Sequence, residues 1–75
     1  MKDIVLNILS GIRPEFDFSQ NMNFIKEGMI DSFDLVLLVC ELDKKFGISI
    51  DGIDIIPENF SSLNQIVELL KKNGA

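Results

Sequence analysis

The chain has 75 residues, with 7 Lys and Arg against 12 Asp and Glu, a net charge of −5 and a hydrophobic content of 47%. Such a length points to a single small acidic domain over 1–75, which hides only about 60% or a little more of its unfolded surface and leaves little room for an enclosed catalytic cavity. There is no His, Trp or Tyr, and Cys40 is the single cysteine, so His-dependent triads, imidazole proton shuttles, internal disulfides and clustered zinc sites are excluded. An acidic excess repels phosphate backbones and anionic membranes, which makes nucleic acid a poor partner and a basic protein face a better one. The expectation is a cytoplasmic, metal-free monomer that is not an enzyme.

The opening MKDIVLNIL is interrupted by Asp3 and Asn7 and reads as a helix, not a signal sequence. Val5, Ile8, Leu9 and Ile12 fall on one face of a helix from Lys2 to Ile12, ended by Gly11 and Arg13-Pro14. From Arg13 to Ile30 no period is sustained, yet Phe16, Phe18, Met22, Phe24 and Ile25 recur, so this long connection is expected to pack down. Connections beyond about 12 to 15 residues are uncommon in compact domains and are often functional.

A second helix is predicted from Ser32 to Phe46, with Ser32 as N-cap, Lys44 and Lys45 in the last turn and Gly47 at its exit. Ile48-Ser49-Ile50 is extended at most, Asp51-Gly52 turns the chain, and one irregular helical turn follows through Ile56. Pro57 suits the first position of another short turn reaching Phe60. Ser62-Leu63-Asn64-Gln65 has a capping-box pattern, and Leu63, Ile66, Val67 and Leu70 share the core face of a last helix to about Asn73. The longest apolar run, Leu35 to Cys40, falls far short of the roughly 20 residues that cross a bilayer. The fold class is all-α: a small bundle of three main helices plus a short helix before the last.

The second helix carries more apolar surface than so small a bundle can bury. Leu35, Leu38, Val39, Leu42 and Phe46 form the core stripe, while Phe33, Val36, Leu37 and Cys40 form a second stripe on roughly the opposite side. Either the Phe-rich connection folds over part of it, at Phe33 and Val36, or it is a docking surface rimmed by Asp34, Glu41 and Asp43. Leu37 is the residue expected to stay most exposed. Met22, Met29 and the phenylalanines read as core or groove filling.

Glu27-Gly28-Met29-Ile30-Asp31-Ser32-Phe33-Asp34, running into Leu35 through Gly47, resembles the modification site and second helix of acyl carrier and peptidyl carrier proteins. The resemblance covers nearly the whole chain: helix, long loop, Asp-Ser-helix, short third helix and final helix occur in that order. It implies a carrier whose Ser32 holds a 4′-phosphopantetheine arm, transferred from coenzyme A by a phosphopantetheinyl transferase, with an acyl or aminoacyl group bound to the arm's thiol as a thioester. By the same carry-over Asp31 helps organise the magnesium-dependent transferase reaction, and Phe33, Val36, Leu37 and Cys40 meet partner enzymes. Phe33 stands where many fatty-acid carriers have Leu, Leu37 replaces a usual acidic position, and Lys44-Lys45 weakens the acidic end of the helix. Asp-Ser-Phe together with Ile56-Pro57-Glu58-Asn59-Phe60 looks more like free-standing carriers served by adenylating enzymes, D-alanyl carriers among them. The segment from Phe46 to Ser61 is also longer than in typical fatty-acid carriers, so the third helix is expected to be displaced or divided.

Simpler readings stand beside these. A Ser before a helix is most simply a cap, worth about 1 kcal/mol, and Asp31 an ordinary helix-start carboxylate. An interaction module with no prosthetic group explains the second stripe but not Asp31-Ser32. A thiol enzyme built on Cys40 ranks last, because the chain has no His to activate it.

Overall fold

The computed structural model describes residues 1–20 and 22–75. Three α-helices, α1 (Lys2–Ile12), α2 (Ser32–Phe46) and α3 (Leu63–Lys72), enclose the core, with two 3₁₀ turns, Gly52–Asp54 and Pro57–Phe60, between α2 and α3. No strand occurs among the described residues, so the all-α expectation holds. The third helix expected before the last is indeed divided, because Pro57 cannot donate into a helix that began at Gly52 and instead opens a turn of its own.

Val5 and Leu9 of α1, Leu35, Leu38, Val39 and Leu42 of α2 and Ile66 and Leu70 of α3 are buried together, as their spacing predicts, and Leu69 of α3 joins them. Ile8, Ile12, Leu63 and Phe46 pack against this cluster while remaining partly exposed. The chain leaves α2 through Gly47 in the left-handed region (φ 64°), a conformation that L side chains adopt at a cost, with the Gly47 N–H bonded to the Asp43 carbonyl. α3 starts at Ser62, whose hydroxyl accepts the Gln65 N–H at 3.2 Å.

The long connection is part of the core. Phe18 and Phe24 are fully buried and meet edge to face, with ring centroids 5.1 Å apart, and Phe16 stands against Phe18 in the same way at 6.2 Å. Asn23 Oδ1 accepts the N–H groups of Ile25 and Lys26 at 3.1 and 2.9 Å, closing a turn that carries the chain to Gly28. Met29 and Ile30 are then buried beside the entry to α2. Met22, expected as core or groove filling, takes the second place: it is 38% exposed and lines a shallow groove beside Phe18 and Leu63.

Candidate functional site

The start of α2 is fixed by two carboxylates. Asp31 has an extended backbone and its Oδ1 accepts the Asp34 N–H at 3.0 Å, while Asp34 Oδ2 accepts the Asp31 N–H at 3.1 Å. This is a reciprocal capping box, and it corrects the expectation that Ser32 caps the helix. Three residues after Ser32 stands Leu35, which has no polar atom to bond back, whereas three residues after Asp31 stands Asp34. Ser32 is therefore the first residue inside the helix, exposed, with its hydroxyl outside the capping bonds.

Arg13, at the end of α1, reaches across to this cap. Its Nε donates to Asp34 Oδ2 at 2.8 Å, Nη2 lies 3.4 Å from Asp31 Oδ2, and Nη1 lies 3.4 Å from Glu15 Oε2. The Asp34 side chain is only 6% exposed, so it is no rim carboxylate: its charge is withdrawn from water and satisfied by Arg13 and the Asp31 amide. The Asp34 N–H holds the Asp31 carboxyl below its ordinary pKa against the opposing effect of desolvation, and Arg13 adds to the depression. The Asp34 contact in turn raises the Arg13 guanidinium above its ordinary value.

Beyond Ser32 the outer face of α2 is uncovered. Phe33 is 71% exposed and Val36 60%, and Cys40 is exposed, so the connection does not fold over them but turns its own phenylalanines inward. Leu37, expected to be the most exposed, is less so than Phe33 and Val36, at 43%. It leans into a groove of about 680 Å³ between α1 and α2, opposite Ile4, Ile8 and Ile12 and beside Glu41 and Lys45. The expected acidic rim shrinks to Glu41, since Asp43 is half-buried and its carboxylate accepts the Ile50 N–H at 3.0 Å, tying down the chain after α2.

Two further apolar side chains stand out in solvent on the divided segment, Ile53 at 79% and Ile56 at 41%. Nothing in the sequence singles them out as site residues, although the five isoleucines in 48–56 are more than a short segment buries. Arg13 carries no site signal in the sequence either, where it is only the residue that ends α1. Among the described residues no helix is long and apolar enough to cross a membrane.

No solved structure matches the chain. The family model for the phosphopantetheine attachment site matches residues 3–70, from the start of α1 to the end of the buried face of α3. Proteins of this family take 4′-phosphopantetheine covalently on a serine and act as carriers without catalysing a reaction themselves. The match takes in all three helices, the Asp-Ser junction and the uncovered face of α2, and the chain belongs to the phosphopantetheine-attachment family of carrier proteins.

Proposed function

We propose that Ser32 is the attachment serine and that Asp31, Phe33, Val36, Leu37 and Cys40 form the surface at which the phosphopantetheinyl transferase, the loading enzyme and the downstream acyl-transfer enzymes dock. The observation that carries this reading is the position of Ser32: first residue of α2, exposed, with its hydroxyl left free because Asp31 takes the capping role. A hydroxyl that must enter another enzyme's active site belongs at the end of a rigid element and out of local hydrogen bonds.

The surroundings suit a phosphodiester. The positive end of the α2 dipole favours an anion at its first residue, and Arg13 offsets the two carboxylates that would otherwise repel it. When bound, the arm supplies the flexible thiol on which an acyl or aminoacyl group is held as a thioester, chemistry the polypeptide lacks. The protein's own residues fix the attachment point, keep it in solvent and offer an apolar face beside it. Cargo activated by an adenylating enzyme is the finer reading, supported by Asp31-Ser32-Phe33 and the Ile56–Phe60 run and by the replacement of an acidic position by Leu37. A cytoplasmic site of action follows from the same role, since coenzyme A and the transferase must reach Ser32.

Intact-protein mass spectrometry tests the assignment. After incubation with coenzyme A, magnesium and a broad-specificity transferase, wild type gains one phosphopantetheine and Ser32→Ala gains none. Loading of the Ser32→Ala protein would show that another serine is used.

A further inference from the structure

We infer that Arg13 is a positioning residue for the modification of Ser32, acting through Asp34 and Asp31; the inference rests on Ser32 being the attachment serine. The direction of the Ser32 side chain is set by the backbone on either side of it, and that backbone is set by the Asp31–Asp34 box. Asp34 Oδ2 is the shared atom: it accepts the Asp31 N–H at 3.1 Å and Arg13 Nε at 2.8 Å. The same guanidinium approaches Asp31 Oδ2 at 3.4 Å, so one side chain from outside the helix touches both members of the cap.

Nothing within α2 supplies this restraint. A carboxylate 6% exposed is costly without a cation, and Arg13 is the cation that meets it. Arg13 is itself the residue that ends α1, its own N–H bonded to the Leu9 carbonyl at 2.9 Å, so the guanidinium is held from a rigid base. With Arg13 removed, the stable place for the Asp34 carboxylate is in solvent. That motion frees the Asp31 N–H and loosens the peptide leading into Ser32.

A plain strut between α1 and α2 would affect stability alone, whereas a positioning role also affects the rate at which a docked transferase finds the hydroxyl. Misplacement by about 1 Å at a reacting centre costs up to roughly a hundredfold in rate. Of the docking surface only Asp31 touches the Arg13 cluster, and its apolar part, Phe33, Val36 and Leu37, lies outside it, so binding should largely hold while turnover falls.

The experiment compares full-length apo wild type, Arg13→Gln and Arg13→Lys as transferase substrates, with loading followed by intact mass and the modified peptide identified. Circular dichroism fixes the folded fraction, and hydrogen exchange at the Asp31 amide reports on the cap. Arg13→Gln is expected to lose about tenfold or more in kcat with KM within about twofold, and to lose Asp31 amide protection while keeping its helical signal. Arg13→Lys keeps the charge without the planar fork and falls between the two.

Wild-type kcat in a folded Arg13→Gln protein, or a loss confined to KM, overturns the inference. If Arg13→Gln does not fold, Arg13→Lys decides: unchanged kcat overturns the inference and a selective fall in kcat supports it. Failure of wild type to load, or loading on a peptide without Ser32, refutes the attachment assignment and this inference together. Loading on Ser32 with no Arg13 effect refutes the inference alone.

Discussion

The backbone N–H of Phe24 donates to the carbonyl of Ser61 at 2.7 Å, fastening the middle of the long connection to the residue before the α3 cap. The Phe24 carbonyl meanwhile accepts the N–H groups of Met29 and Ile30 at 2.9 and 3.3 Å, and its ring is fully buried against Phe18. The connection is thus anchored at one residue by backbone and side chain together. Phe24→Ala should cost about 3–5 kcal/mol, a large share of the roughly 4–11 kcal/mol expected for a chain of this length. Urea denaturation followed by circular dichroism measures it.

The face of α2 should separate binding from stability residue by residue. Leu37→Glu and Val36→Glu alter side chains that are 43% and 60% exposed and should change stability by less than about 1 kcal/mol. The same changes should raise the KM of the transferase or loading enzyme by about tenfold, the effect of losing a central apolar contact. Leu38→Ala, one position on and 1% exposed, should cost about 2–5 kcal/mol. Thermal melts beside loading kinetics test the contrast, and a large destabilisation in Leu37→Glu would place that residue in the core.

Gly47 allows a clean measure of backbone cost. It sits at φ 64°, and a Cβ added there would meet nothing within 4 Å. Gly47→Ala should therefore destabilise by about 1 kcal/mol through conformation alone. That corresponds to roughly 4–8 °C in melting temperature.

Acid should weaken the cap of α2. The Asp31 carboxyl is held below its ordinary pKa, chiefly by the Asp34 N–H, so its contribution to stability is present above the unfolded value of about 4 and is lost as pH falls through the lower folded value. Asn caps helices about as well as Asp but does not titrate. Asp31→Asn should therefore differ most from wild type above about pH 5 and approach it as pH falls towards 2. Asp17, depressed chiefly by the Ser19 hydroxyl, titrates in the same direction and is present in both proteins. Melting temperatures of the pair across this range check the sign.

The three helices and the place of Ser32 could be read from the sequence because they depend on local features: apolar spacing, Gly47 after the last turn, Ser62 before Gln65. The cap itself was also written locally, since Asp31 and Asp34 have box spacing while Ser32 and Leu35 do not; two good capping residues side by side concealed it. Arg13 with Asp34 was not legible. Their 21-residue separation is bridged by a connection without period, and no local rule brings its ends together. The fate of the phenylalanines was half legible: abundance showed that the connection packs, but only the fold shows that Phe18 and Phe24 turn inward while Phe33 stays out.

The three phenylalanines with essentially no exposure, Phe18, Phe24 and Phe60, all lie outside the α-helices. The irregular segments are thus the keystone and the helices the arch. No pair of helices cut from this chain carries these rings, so a hairpin of two helices formed ahead of the loops should lack the largest buried side chains of the core. Closure of the 13–30 connection and packing of the helices should therefore be coupled, since burying Phe18 and Phe24 offsets the entropic cost of ordering the connection. Shortening the irregular segments should therefore destabilise the bundle even where Ser32 and the whole of α2 are kept.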